Sequence, residues 1–172
     1  FMRKYMVEII QQQDSRRIFI DTLCELAEKD EKVLLIVPDV GFNYIEKFKE
    51  KFPDKFFNFG VTEQSTITIT AALALDGWKP YVYSMINFIL FRPGEFVRNA
   101  IVFHKAPVVL LGVKGGPSYR FLGIGHNLLH EKEDFNFCDN IGLDWFCPKD
   151  DEAVKLSVMT AYANNKPCYI RL

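Results

Sequence analysis

A glutamate stands at the boundary between an apolar strand and an apolar helix, in Gly60-Val61-Thr62-Glu63-Gln64. Gly60 ends the strand, Thr62 is the expected N-cap, and Glu63 falls in the first helical turn beside unpaired backbone N–H groups. One role for such a carboxyl is to complement the helix dipole in water. Phe57 and Phe59 before it, with Ile67 and Ile69 after it, point to burial instead. Burial disfavours the charged form of a carboxyl, and a sheltered carboxyl group that holds a proton suits general acid–base work.

Aromatic and imidazole groups follow at spacings that matter. Phe88 and Phe91 sit three apart beyond a strand end. They are either core packing or a platform for a flat ring, and a stacked ring gains roughly 0.5–1.5 kcal/mol beyond its buried area. His126 lies in the glycine-rich stretch LGIGHN, and an imidazole gives and takes protons near neutral pH. Asp39-Val40 follows another apolar run and precedes Gly41, the composition of a turn.

The elements that must position these groups read as an alternation. A helix is expected from Arg16 to Glu28, capped by Asp14 or Ser15, then a strand at Val33–Val37 that is apolar on both faces. Further helices are expected at Tyr44–Lys51, Thr62–Leu75, Glu95–His104 and Asp151–Ala163. Strands are expected at Phe56–Phe59, Pro80–Ser84, Val108–Val113, Leu143–Phe146 and Cys168–Leu172. Lys114 to Glu133 holds four glycines and little periodicity, and reads as a long functional loop. The pattern predicts an α/β fold: a doubly wound, mostly parallel sheet with helices on both faces. Ligands of such sheets sit beyond the carboxyl ends of the strands. That places Asp39, Gly60 to Glu63, Ser84 to Phe91 and the glycine loop along one rim.

Bulk properties agree with one domain over residues 1–172. The chain is 49% hydrophobic and 25% charged, enough to bury a core. A net charge of -1 gives no electrostatic case for nucleic acid or an anionic membrane. Apolar runs are far shorter than the ~20 residues of a membrane helix, no signal peptide is visible, and a cytoplasmic location is the default expectation. The four cysteines lack paired spacing and read as reduced, mostly buried small hydrophobes, with no zinc site.

An ordered match over some fifty residues then becomes specific. The segment FPDKFFNFGVTEQSTITITAALALDGWKPYVYSMINFILFRPGEFVRNAIVFHKAPV resembles the pyrimidine-domain signature of the transketolase-like thiamine diphosphate enzymes. Upstream VLLIVPDVG and downstream GGPSYRFLGIGH and KPCYIRL extend the resemblance over nearly the whole chain. It implies that Glu63 hydrogen-bonds N1′ of the cofactor's aminopyrimidine, stabilising the tautomer that removes the proton from thiazolium C2. It implies that Phe88 and Phe91 stack that ring and that Asp39 and Val40 lie near the cofactor. His126, matching the first histidine of the family's Asp-Gly-x-Thr-His motif, is expected to face the reacting carbon. Arg92 and Arg98 fall on family arginine positions but are left outside the catalytic set, as surface cations with buried stems.

The implied activity is two-carbon ketol transfer between sugars. Within the class, activities of the 1-deoxyxylulose-5-phosphate synthase or 2-oxo-acid dehydrogenase beta type are alternatives. So is a non-catalytic interaction domain that keeps the fold. Three departures bear on this: Leu122 stands where the family's hydroxyl-holding aspartate does, Gly125 replaces the threonine, and Asn127 replaces the second histidine or glutamine. The chain has no Gly-Asp-Gly. The diphosphate and its magnesium are therefore expected on a partner domain or subunit, in a homodimer or heterotetramer, and this chain alone is expected to be inactive.

Overall fold

The computed structural model describes the backbone of residues 2–172 and the side chains of residues 15–117 and 119–172. Six strands form one sheet: β1 (Val33–Val37), β2 (Phe56–Asn58), β3 (Lys79–Met85), β4 (Val109–Val113), β5 (Asp144–Phe146) and β6 (Cys168–Arg171). They run in the order β2-β1-β3-β4-β6-β5, every neighbouring pair parallel. Parallel strands need crossover connections, and helices supply them. These are α1 (Met2–Ala27), α2 (Glu46–Lys51), α3 (Glu63–Leu75), the single turn α4 (Gly94–Phe96), α5 (Glu133–Ile141) and α6 (Asp151–Asn164). The expected doubly wound α/β architecture is what forms.

Strand periodicity divides the core into two layers. Side chains alternate across a strand, so Val33, Leu35 and Val37 meet Phe19 and Leu23 of α1 and Val158 of α6. Leu34 and Ile36 meet Ile67 and Ala71 of α3, with Val97 and Ile101 behind them. All five residues of β1, and all five of β4, are buried. That is why these strands read as unbroken apolar runs rather than alternating ones. From β1 the chain steps outward to β2 and then returns to β3 on the opposite side. The strand order therefore reverses between β1 and β3, and a crevice opens at their carboxyl ends.

Several elements differ from the expectation for local reasons. Helix α1 starts at Met2, so Asp14 and Ser15 lie within it rather than at its start. Residues 2–13 contain no glycine or proline to stop a helix that begins earlier. The expected helix Glu95–His104 is instead α4 followed by a wide, π-type helix, Val97–Phe103, and a first wide turn, Asn87–Phe91, comes directly after β3. The Arg92 N–H donates to the carbonyl of Asn87, five residues back, at 2.9 Å. Pro93, which has no N–H to give, separates the two wide segments. The glycine-rich stretch folds into a 3-10 stretch at Pro117–Gly125, broken at Gly123 (φ 64°). Helix α5 adds an element that the residue pattern does not announce. Its markers are Glu133 and Asp134 in the first turn and the left-handed Gly142 at its end.

Close packing makes one glycine indispensable. A Cβ on Gly112 of β4 would lie 2.6 Å from Cε2 and 2.7 Å from the hydroxyl oxygen of Tyr169. Gly112→Ala is expected to lower stability by about 1–3 kcal/mol, visible as a reduced Tm. A Cβ on Gly125 would meet nothing within 4 Å, so Gly125→Ala should leave Tm nearly unchanged.

Thiol chemistry gives a second check. Burial pushes the Cys138 and Cys168 thiols up to about 12, and raises that of Cys24 as well. Thiolate is the reactive form, so these three stay inert at pH 8. A disulfide reagent at that pH should modify only the exposed Cys147 in the native chain, and all four cysteines after denaturation.

Candidate active site

A cleft of about 360 Å³ opens where the strand order reverses. Its walls are the loop Asp39–Tyr44 after β1, the end of β3 at Tyr83–Met85, the end of β4 at Val113 and Lys114, and Arg16 of α1. Phe88 closes one side, and Tyr119 and His126 from the glycine-rich stretch close another. Small-molecule sites have this size and this mixture of ring surface with few polar groups.

The loop after β1 is braced by the side chain of Asn58. Asn58, the last residue of β2, accepts the Asp39 and Gly60 N–H groups on its Oδ1 at 3.0 and 2.9 Å. Its Nδ2 donates to Asp39 Oδ1 at 3.0 Å. Asp39 adopts a left-handed backbone (φ 54°) and directs its carboxylate into this brace. Gly41 follows at φ 95°, where a Cβ would come within 2.7 Å of the Tyr83 ring. Asp39 and Val40 therefore border the cleft as a braced turn.

Glu63 opens α3 and is 5% exposed. Thr62 occupies the N-cap position, but its hydroxyl donates to the Phe59 carbonyl at 2.8 Å and does not cap the helix. A carboxylate this deep requires a charged partner, and Arg92 provides one: its Nη1 donates to Glu63 Oε1. The same guanidinium lies over the ring of Phe88, 4.2 Å from the centroid, a cation–π contact. Phe88 meets His126 edge-on at 4.9 Å, and Tyr119 lies parallel to His126 at 6.4 Å. Glu63, Arg92, Phe88, His126 and Tyr119 thus form one contiguous row leading into the cleft.

Two polar atoms along this wall make no hydrogen bond within the chain: His126 Nδ1 and Ser84 Oγ, both buried. Buried polar atoms are nearly always satisfied, so these two are exceptions among the groups beside the cleft. Among the described residues, no group of three His, Cys, Asp or Glu side chains converges to hold a metal ion.

Phe91 departs from the expected arrangement. It does not line the cleft, and its ring packs edge-on against Phe137 of α5 at 5.8 Å. The wide turn explains this. An i→i+5 turn carries more than four residues, so residues four apart align while residues three apart diverge. Phe88 therefore shares a side with Arg92 rather than with Phe91. Arg98 points elsewhere and donates to Asn99 Oδ1 at 2.9 Å. Arg92 belongs to the site although the sequence reading leaves it outside, and its place four residues after Phe88 is a usable signal. Arg16 and Ser84 carry no local signal.

The glycine-rich wall is knitted by two asparagines. Asn127 Nδ2 donates to the carbonyls of Tyr119 and Gly123 at 2.9 and 2.7 Å. Asn87 Nδ2 donates to those of Ile124 and Asn127 at 2.9 and 3.3 Å. Beyond it, Arg171 of β6 reaches the Glu131 carboxylate at 3.0 Å and the Glu131 carbonyl at 2.9 Å. Arg171 Nε lies 3.2 Å from Asp134 Oδ2, the oxygen that accepts from the buried Tyr169 hydroxyl at 2.8 Å. Burial holds that hydroxyl well above the usual phenol range. The rim around His126 is thereby tied to the sheet at both ends.

A ring-lined cleft at the switch point of a doubly wound parallel sheet, beside a buried helix-first carboxylate, is the place where α/β domains of this class hold small molecules. Residues 11–172 match the family described as the transketolase pyrimidine-binding domain, and the chain belongs to that family. It is 31% identical over 156 residues to 1-deoxy-D-xylulose-5-phosphate synthase of Oleidesulfovibrio alaskensis, covering 90% of this chain and 24% of that protein. It is 30% identical over 158 residues to one subunit of the apulose-4-phosphate transketolase of Phocaeicola vulgatus, covering 91% of this chain and 50% of the relative. Among solved structures, a split-gene transketolase described as an inactive beta4 tetramer aligns with TM-score 0.80 and 26% identity, over 92% of this chain and 50% of that one. A transketolase of Pichia stipitis shares the fold at 14% identity and TM-score 0.74, over 91% of this chain and 25% of that one. The chain thus spans between about a quarter and a half of the relatives it matches.

The asparagine clamp predicts a local effect. Asn127→Ala removes two hydrogen bonds, each worth about 0.5–1.5 kcal/mol. Amide exchange between Tyr119 and Gly123 should accelerate roughly 5- to 160-fold, with little change at β1 or β4.

Proposed function

We propose that this chain is the pyrimidine-binding part of a thiamine diphosphate enzyme that transfers a two-carbon ketol unit. The observation that carries the reading is Glu63: a buried carboxyl group at the first residue of α3, one residue's reach from a ring face on the wall of the switch-point cleft. The residues present suit the cofactor's aminopyrimidine, since Phe88 offers a ring surface and His126 Nδ1 and Ser84 Oγ lack partners. When bound, the cofactor supplies a nucleophilic carbon and an electron sink.

What the chain itself does is bind, orient and move protons. Phe88 holds the flat ring by stacking. Glu63, 5% exposed, turns its carboxyl group toward N1′ of that ring, in surroundings that exclude water. His126 stands edge-on to Phe88 and exchanges a proton through its unpartnered Nδ1. Asp39 and Val40, braced by Asn58, shape the opposite wall. Phe91 acts at one remove, by packing the wide turn against α5.

The diphosphate and magnesium ends are assigned to a partner domain or subunit, and the chain alone is expected to be inactive. Residues 1–172 then form a single pyrimidine-binding domain, and the protein works in the cytoplasm on small sugar substrates. A relative named as one subunit of a transketolase and a solved split-gene transketolase support a separate partner chain. One observation favours a non-catalytic variant of this reading. Leu122 is 39% exposed and lies outside the cleft wall, where a hydroxyl-holding aspartate is expected.

The test is reconstitution. With a diphosphate-domain partner, magnesium and thiamine diphosphate, the wild-type chain should show ketol transfer. Glu63→Gln should lower kcat about 10²- to 10⁴-fold while cofactor affinity falls less. Unchanged turnover in that variant removes the mechanism, and cofactor binding without any turnover in the wild type selects the non-catalytic reading.

A further inference from the structure

Arg92 touches the two groups that the proposed site most needs. Its guanidinium is ion-paired with Glu63 and also covers the ring of Phe88. Glu63 itself does not line the cleft, whereas Phe88 does. The Arg92 side chain, 42% exposed against 6% for that of Glu63, forms the layer between the carboxylate and solvent. A planar heterocycle cannot stack on the face of Phe88 that a guanidinium already covers, nor take up a carboxylate oxygen that a guanidinium already holds.

We infer that Arg92 is a positioning residue that stands in for the aminopyrimidine. It satisfies the Glu63 carboxylate and the Phe88 ring while the site is empty and swings aside when the ring enters. The inference rests on the reading of Glu63 and Phe88 as the pyrimidine site.

The chemistry of the stand-in is matched to that of the ligand. A guanidinium is flat, delocalised and rich in N–H donors along its edge, so it stacks on an aromatic face while its edge binds a carboxylate. An aminopyrimidine combines a flat face with a polar edge in the same way. A lysine cannot do both, because its ammonium is a point charge without a face. The position also permits departure. Arg92 begins right after the wide turn, and Pro93 leaves no N–H to continue the ladder beyond it. Its half-exposed side chain can rotate into water without leaving a cavity in the core.

Three facts separate this role from simple structural pairing. The Arg92–Phe88 alignment depends on the wide turn, since residues four apart align there. The Arg92 side chain is 42% exposed where that of Glu63 is 6% exposed, so the pair is closed from the solvent side rather than from the core. The energetic consequence is also opposite in sign: a structural partner's loss weakens ligand binding, whereas a competitor's loss strengthens it. Apparent affinity is reduced by the fraction of molecules in which the site is open.

The experiment is a titration of the full chain with thiamine, followed by NMR on the Phe88 ring and the Arg92 Nε–H. In the wild-type chain thiamine should shift both resonances, with the Arg92 signal moving toward that of a solvated guanidinium. Arg92→Met should bind thiamine roughly tenfold more tightly, as expected when a state open about a tenth of the time becomes permanent. Arg92→Lys, which keeps the charge and serves if the methionine variant does not fold, should fall between the two. Equal or weaker binding by a folded Arg92 variant overturns the stand-in role and leaves the pyrimidine site intact. A Phe88 ring that responds to thiamine in neither wild type nor variants overturns the site itself, and the stand-in role with it.

Discussion

A carboxylate removed from water must be met by an opposite charge or by a proton, and Glu63 imposes that requirement on everything around it. It opens α3, a helix so apolar that Ile67, Ala71 and Ala74 all lie in the core. Its neighbours in the helix offer no counter-charge. The partner has to come from another element, and it comes from the segment after β3, which must then present an arginine and an aromatic ring on one side. An ordinary α-helical turn aligns residues three and four apart about equally. The wide turn at Asn87–Phe91 favours the pair four apart, Phe88 and Arg92, and turns Phe91 into the core. Backbone geometry and side-chain electrostatics are thus one problem with one solution.

The sheet supplies the place where that solution is useful. Reversal of strand order between β1 and β3 leaves their carboxyl ends without a covering crossover, and the loops that follow border an open crevice. Asn58 braces one of those loops and the asparagines Asn87 and Asn127 the other. Side-chain amides suit this work because each offers both donors and an acceptor to backbone groups that have left the sheet. Rigid walls suit the stacking proposed for this site, since stacking falls away quickly with tilt and displacement.

Membership of the transketolase pyrimidine-binding domain family accounts for the fold and for the position of the cleft. The departures at Leu122, Gly125 and Asn127 are concentrated in the glycine-rich wall. There the structure shows Asn127 acting as a clamp, with both amide hydrogens on backbone carbonyls. Change in that stretch alters what the wall can read while leaving Glu63, Phe88 and His126 adjoining one another.

The alternation of strands and helices is legible in the residues alone, because unbroken apolar runs such as VLLIV and VVLLGV stand out wherever burial covers both faces. Burial of Glu63 is legible too, since the residues flanking it are apolar on both sides. Helix α5 and the true start of α1 escape such a reading, because weak periodicity and good helix formers without a cap leave little local contrast. Who faces whom is settled only when the chain has folded. Arg92 meets Glu63 across 29 positions, and Arg16 reaches a cleft whose other walls begin beyond residue 38. Phe91 parts from Phe88 through a hydrogen-bond pattern that residue types alone do not specify. Local sequence encodes propensity and burial. The pairing of distant charges follows from strand order, which is a property of the whole chain.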